Sequence, residues 1–148
     1  MKSLRELLTG RVPMTIKSSA SALDAARTMR EQGIGCLLIV DAEKRPIGIF
    51  TERDLMVRIV VEGKAPARVP VEEAMSKSPF TADVEQRVRQ VSREMRQRHI
   101  RHLPVTENGV LIGVLSLRDL LAAHLEERKH EVEALTAYIQ GEGEALQS

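Results

Sequence analysis

An octet of residues occurs twice in this chain, and the repetition limits the folds that the chain can adopt. The octets are GIFTERDL at 48–55 and GVLSLRDL at 113–120, which lie 65 residues apart. Each has a glycine, two apolar residues, a hydroxyl residue and an aspartate before a final leucine. The residues before the octets also align, as Met29 does with Met95 at an offset of 66. A period this long indicates two copies of one supersecondary unit rather than a solenoid of many short repeats.

Each copy has the pattern strand, helix, strand, strand, helix. In the first copy, apolar spacing and turn residues predict strands at 14–16, 36–40 and 47–50 and helices at 21–32 and 52–61. In the second copy, the spacing of Val88, Val91 and Met95 predicts a helix, and strands are predicted at 103–106 and 110–115. The pair Asn108-Gly109 between those strands predicts a tight hairpin turn.

The chain is therefore expected to be an α/β (α+β) protein with two βαββα repeats and a C-terminal helical extension. We assign residues 1–62 to the first repeat with an N-terminal lead-in helix, 63–70 to a linker, 71–125 to the second repeat and 126–148 to a helical tail. The linker region contains a glycine and two prolines, which favour an exposed connection.

The composition is that of a globular protein with no general affinity for nucleic acid or membranes. Hydrophobic residues make up 43%, charged residues 29%, and the net charge is +1. No apolar run approaches the ~20 residues of a membrane span, and the N-terminal segment lacks the apolar core of a secretory signal. The lone Cys36 cannot form an intrachain disulfide, so a reducing, cytoplasmic compartment is expected.

The hydroxyl and acidic residues of the octets have two compatible interpretations. Thr51 and Ser116 stand where a strand ends and a helix begins, three residues before Asp54 and Asp119. This spacing is that of a capping box, in which hydroxyl and acid satisfy free backbone N–H groups at a helix start. The same arrangement suits a ribose-phosphate, because a helix N-terminus favours phosphate and a carboxylate accepts hydrogen bonds from a ribose diol.

The remaining octet residues extend the second interpretation. Arg53 and Arg118 can reach a phosphate as charged donors. Gly48 and Gly113 are expected to let backbone or ligand approach closely.

The paired octets, with GIGCLLIVD and RHLPV before them, resemble tandem cystathionine-β-synthase (CBS) domains over about residues 3–125. The resemblance implies two units that pack through their sheets with pseudo-twofold symmetry. It also implies clefts for an adenosine-containing ligand: AMP, ADP or ATP, with NAD or S-adenosylmethionine as further candidates. The octet hydroxyl would contact phosphate and the octet acid would hold the ribose, with one cleft using Thr51 and Asp54 and the other Ser116 and Asp119.

The resemblance further implies that adenine is read by the segment before the first long strand of each repeat. That segment is Ile34, Gly35 and Cys36 in one cleft and Ile100, Arg101 and His102 in the other. Because Arg101 and His102 replace Gly35 and Cys36, we expect the second cleft to prefer ligands with more phosphates. Arg101 can equally be a solvated surface charge, Cys36 an apolar strand filler and His102 a structural residue.

The C-terminal tail is predicted to be one long helix at 121–139, ended by Gly141 and Gly143. An apolar stripe follows a heptad spacing, with residues Leu121, Leu125, Val132, Leu135 and Ile139, and Arg128 interrupts it. The stripe either packs back on the repeats or docks on a second subunit. An apolar face at Leu4, Leu7 and Leu8 is a candidate contact.

The resemblance implies a stand-alone regulatory module that binds an adenine nucleotide, forms a homodimer and signals to an unidentified regulated protein. The alternative is a structural or protein-interaction module with no nucleotide ligand. Catalysis is not expected, because the sequence has no P-loop, G-x-S-x-G, H-E-x-x-H or C-x-x-C motif. No metal site is expected, because the histidines lack metal-ligand spacing.

Overall fold

Two three-stranded sheets, one for each copy of the octet, form the centre of the molecule. The computed structural model describes residues 2–147, with side chains through residue 141, so Met1 and Ser148 at the ends of the first and last predicted segments lie outside it. The helices are α1 (Leu4–Leu8), α2 (Ala22–Gln32), α3 (Glu52–Asp54), α4 (Val71–Ala74), α5 (Val88–Arg98) and α6 (Leu117–Gln147). The strands are β1 (Cys36–Val40), β2 (Pro46–Thr51), β3 (Ser76–Lys77), β4 (Ala82–Asp83), β5 (His102–Glu107) and β6 (Val110–Ser116). The predicted mixed α/β fold with a C-terminal helical extension is confirmed.

The first sheet has the order β1-β2-β3, with both pairs antiparallel. Strand β1 is almost wholly buried, as its unbroken apolar run predicts. The strand predicted at 14–16 is reduced to one parallel bridge between Thr15 and Leu38. Strand β3 was not predicted, because two residues are too few to show a period.

The second sheet has the order β4-β5-β6, with β4 parallel and β6 antiparallel to β5. Asn108 and Gly109 connect β5 to β6 with φ angles of 52° and 81°. Two successive positive φ values are those of a type I′ turn, so the predicted hairpin is confirmed.

The helices begin and end where capping chemistry allows. The Ser21 hydroxyl accepts a hydrogen bond from the Asp24 amide at the start of α2, and Gly33 ends that helix at φ 64°.

The helix predicted at 52–61 is α-helical only at its start, and Leu55–Val60 is π-helical instead. This wider turn directs Ile59 into the core, while Arg58 binds the Met75 carbonyl at 2.8 Å.

The two lead-in helices are exchanged between the repeats. Leu4 and Leu8 of α1 are buried in the core of the second repeat, beside Leu115 of β6. Val71 and Ala74 of α4 are buried in the core of the first repeat. The proposed contact between the N-terminal leucines and the tail stripe is therefore wrong for Leu4 and Leu8, because both are already enclosed.

The octet glycines make room for these lead-in segments. A Cβ atom at Gly48 would lie 2.2 Å from the Met75 sulfur, and one at Gly113 would lie 2.4 Å from Leu8 Cδ2. Backbone or ligand was expected to approach these glycines, but side chains of the lead-in segments occupy the space instead.

A third apolar cluster joins the two sheets. Cys36, Leu38 and Ile49 of the first sheet share this cluster with Leu111 of the second. The Leu111 amide also donates to the Lys44 carbonyl at 2.9 Å, so a backbone hydrogen bond crosses from one repeat to the other. The two repeats therefore pack through their sheets.

Helix α6 extends beyond both repeats. It continues through Gly141 and Gly143 to Gln147, so the prediction that these glycines end it is wrong. Glycine disfavours a helix interior by only about 1 kcal/mol and does not require a stop. Leu125, Val132 and Ile139 are 62–70% exposed, so the alternative in which the stripe packs back on the repeats is also wrong. The described part of the chain contains no helix with the length and hydropathy of a membrane span.

Candidate functional site

The first octet forms a complete capping box at the start of α3. The Asp54 amide donates to Thr51 Oγ1 at 3.1 Å, and the Thr51 amide donates to Asp54 Oδ2 at 2.9 Å. The Thr51 hydroxyl also donates to Asp54 Oδ2 at 3.1 Å. The predicted helix-cap role of this pair is confirmed.

Two residues from outside the octet also engage Asp54. The Ser76 hydroxyl of β3 donates to Asp54 Oδ1 at 3.2 Å, and Arg58 Nε lies 3.6 Å from the same oxygen. Asp54 is only 8% exposed, and both of its carboxylate oxygens have partners within the protein. A ribose diol would therefore have to displace an existing contact of Asp54.

The second octet has the same cap, but a different residue contacts its acid from outside the octet. We call such a residue the outer partner of the acid. The Ser116 amide donates to Asp119 Oδ2 at 2.8 Å, and the Asp119 amide donates to Ser116 Oγ at 3.1 Å. The outer partner is Arg11, whose Nη1 lies 2.8 Å from Asp119 Oδ2.

The ionisation of Asp119 reflects these contacts. Burial favours the protonated form, but the hydrogen bonds from Arg11 and Ser116 outweigh it and lower the pKa of the Asp119 carboxyl. Asp119 is thus held as an anion beside the cation that Arg11 supplies.

The segments expected to read adenine lie directly beside the octets. The Glu52 amide donates to the Gly35 carbonyl at 3.1 Å, and the Leu117 amide donates to the Arg101 carbonyl at 2.8 Å. A cavity of about 370 Å³ opens at the first of these contacts, between the end of α2 and the start of α3. It is lined by Ala26, Met29, Arg30, Gly33, Ile34, Gly35, Glu52 and Leu55. The predicted residues Ile34 and Gly35 line this cavity, whereas Thr51 and Asp54 do not.

His102 lies between the two octets. A Cβ atom at Gly35 of the first repeat would be 3.3 Å from both His102 Nε2 and Glu52 Oε1. Burial is the main effect on His102, and it lowers the pKa of the imidazole. The negative charge of Glu52 raises this pKa, the positive charge of Arg101 lowers it, and the negative charge of Asp119 raises it. The imidazole of His102 is therefore within electrostatic reach of one acid from each repeat.

The other predicted site residues divide into buried and exposed groups. Burial, with a smaller effect from Glu52, raises the pKa of Cys36 to about 12, so this thiol is an apolar filler of the interface between the sheets. Ile100 is half-buried against the second core. The exposed residues are Arg53, Arg101 and Arg118.

Sequence reasoning missed Arg11, Ser76 and Arg58, the outer partners of the octet acids. Arg11 and Ser76 follow the lead-in helices, and those helices pack on the opposite repeat. The alignment of 3–8 with 70–75 shows that the segments are equivalent, but a sequence pattern does not reveal such an exchange. Within the side chains that the structure describes, no three His, Cys, Asp or Glu residues are arranged to hold a metal ion.

Comparison with protein families identifies both repeats. The sequence model of the CBS domain matches residues 4–61 and 71–126. An uncharacterized protein of Methanopyrus kandleri is 36% identical over 118 residues, which are 79% of this chain. The chain spans 57–59% of the length of the first curated relatives that it matches.

Solved structures show the same arrangement. A CBS-domain containing protein from Agrobacterium tumefaciens is 33% identical, covers 83% of this chain and 99% of its own, and superposes with a TM-score of 0.76. A CBS domain protein from Pyrobaculum aerophilum, solved as a complex with AMP, is 30% identical with a TM-score of 0.73. That alignment covers 80% of this chain and 89% of the Pyrobaculum chain.

Proposed function

The chain belongs to the CBS-domain family, and we propose that it is a stand-alone regulatory module that binds an adenine nucleotide between its repeats. AMP, ADP and ATP are the first candidates, followed by NAD and S-adenosylmethionine. Binding would alter the arrangement of the repeats or of a dimer, and a regulated protein would detect the change. Such coupling requires the ligand to favour one arrangement over the other.

One observation carries this proposal. In each repeat a hydroxyl and an acid stand at a helix start, and a hydrogen bond holds the backbone of 34–36 or 100–102 against that start. The positive end of the helix dipole favours phosphate, and the neighbouring acid can accept hydrogen bonds from ribose. The related protein from Pyrobaculum, solved with AMP, supports an adenine nucleotide as the ligand class.

Thermal unfolding in the presence of adenosine, AMP, ADP, ATP, NAD and S-adenosylmethionine tests the proposal. A ligand at 100 times its dissociation constant stabilises the folded state by about 2.7 kcal/mol, which corresponds to roughly 5–10 °C in midpoint. We expect at least one adenine nucleotide to produce such a shift. The conservative variants Asp54→Asn and Asp119→Asn assign the shift to a cleft, each measured against its own midpoint without ligand.

The alternative, an interaction module without a ligand, predicts no shift with any of these compounds. In that case both octets act only as helix caps. A regulatory rather than a catalytic role is supported by Asp54 and Asp119, which are engaged in helix caps and ion pairs.

We also propose that the protein forms a homodimer. The exposed apolar side chains of α6 are too numerous for a helix that faces only water. A second apolar surface lies on the π-helical turn and its end, where Met56, Val60 and Val61 are 55–71% exposed. A cytoplasmic location is proposed with the dimer and is supported by the single, buried cysteine.

A further inference from the structure

The acids of the two octets differ in how firmly their outer partners hold them. Asp54 receives hydrogen bonds on both oxygens, and its side chain is only 11% exposed. Among the residues that the structure describes, the outer cation at Asp119 is Arg11, whose side chain is 48% exposed, and the Asp119 side chain is 25% exposed. The contact between Arg11 and Asp119 can therefore be exchanged with far less rearrangement than the buried contacts of Asp54.

Arg11 lies on the segment that crosses from one repeat to the other. Its amide donates to the Leu8 carbonyl at 2.9 Å, which ties it to the helix enclosed in the second repeat. Four residues later, Thr15 bridges to Leu38 in the first repeat. A change in the position of Arg11 therefore acts on the chain that connects the two repeats.

We propose that Arg11 is a displaceable counter-ion that makes the second cleft selective for nucleotides over nucleosides. Without ligand it pairs with Asp119. When a ribose diol binds Asp119, Arg11 moves to the ligand's phosphate. This inference rests on the proposed nucleotide binding and adds a residue outside the octets to it.

The preference for AMP over adenosine follows from the charges of Arg11, Asp119 and the ligand's phosphate. A ribose diol that engages both carboxylate oxygens of Asp119 must reach Oδ2, which Arg11 and the Ser116 amide already contact. Adenosine bound in this way separates Asp119 from Arg11 and leaves a guanidinium without its anion. AMP brings a phosphate that takes the place of the carboxylate as partner, and an arginine–phosphate contact is among the stronger charge-assisted hydrogen bonds. The second cleft should therefore bind AMP at least tenfold more tightly than adenosine.

Isothermal titration calorimetry of the full chain with adenosine and with AMP tests the inference. In Arg11→Ala we expect adenosine to bind about two- to fivefold more tightly and AMP about tenfold more weakly, so that the preference for AMP nearly disappears. Arg11→Lys should retain part of the preference. Arg5→Ala is the matched control, because it removes the same charge from the same lead-in, and its partners Glu85 and Glu107 lie away from the cleft.

The outcomes separate this inference from the proposed function. Binding of AMP with an unchanged preference in Arg11→Ala would overturn the role of Arg11 and leave nucleotide binding intact. A loss of preference in Arg5→Ala equal to that in Arg11→Ala would also overturn it, since general charge would then be the cause. If neither wild type nor Arg11→Ala binds any adenine compound, both proposals fail.

Discussion

At the scale of single residues, Asp54 and Asp119 occupy matched positions in the sequence but different environments. Asp54 is buried beneath Thr51, Ser76 and Arg58, whereas Asp119 lies partly open beside Arg11. Helix capping explains why the sequence spacing is shared. Ser76 and Arg11, which come from segments distant in sequence, make the surroundings of the two acids different.

This difference predicts unequal losses of stability. We expect Asp54→Asn to lower the free energy of unfolding by about 2–3 kcal/mol, because the amide keeps one neutral acceptor oxygen where the carboxylate accepts buried hydrogen bonds on both oxygens. Asp119→Asn should lower it by about 1 kcal/mol or less, as for other partly exposed ion pairs. Urea denaturation measures both variants. Equal losses would contradict the structural distinction between the two acids.

The lowered pKa of Asp119 predicts a dependence of stability on pH. A carboxyl whose pKa is lower in the folded state stabilises the fold above its unfolded pKa of about 3.9. This contribution is lost as the pH falls from there through the folded-state pKa. We expect Asp119→Asn to flatten the curve of unfolding free energy against pH in that acidic window and to leave its shape at pH 6–8 unchanged. A wild-type slope retained in the variant would assign the effect to other acids.

At the scale of helices and strands, the exchanged lead-ins govern how the repeats are held together. The helix α1 belongs to the first repeat by sequence but completes the core of the second, and α4 does the reverse. Each octet glycine receives one lead-in side chain. Neither core is complete without a segment from the other half of the chain.

A complementary pair of substitutions tests this exchange. Gly48→Ala would place a methyl group 2.2 Å from the Met75 sulfur, and we expect it to destabilise the protein by about 1–3 kcal/mol through overpacking. In the Met75→Ala background the added methyl group has room, so the loss should shrink or disappear. A double-mutant cycle measured by urea denaturation gives the coupling. Additive losses would show that Met75 does not occupy the space over Gly48.

At the scale of the whole molecule, the exposed stripe of α6 predicts a dimer contact. Val132 and Leu135 are both 62% exposed and lie at neighbouring heptad positions. The double variant Val132→Glu/Leu135→Glu should convert a dimer to a monomer, because it places charges in an apolar contact. Light scattering measures the mass. Ala137→Glu, which adds a charge outside the stripe, is the control and should keep the dimer; a dimer retained by the double variant would exclude this helix from the contact.

Much of the fold and part of the site were predictable from local patterns. The apolar run of β1, the caps of α2 and α3 and the Asn108-Gly109 turn each depend on residues within a few positions of one another. The extent of α6 was not predictable in the same way. Glycine near a helix end is a frequent stop signal, yet it does not prevent a helix from continuing.

Two equivalent units, each with a hydroxyl and an acid at a helix start, are evident in the amino-acid sequence alone. These features repeat in register, and capping depends on neighbouring residues. Packing between distant segments places Arg11 against Asp119, Ser76 against Asp54 and His102 beside Glu52 of the other repeat. Those contacts join segments whose proximity depends on the exchanged lead-ins and on the packing of the two sheets, and no local pattern carries that information.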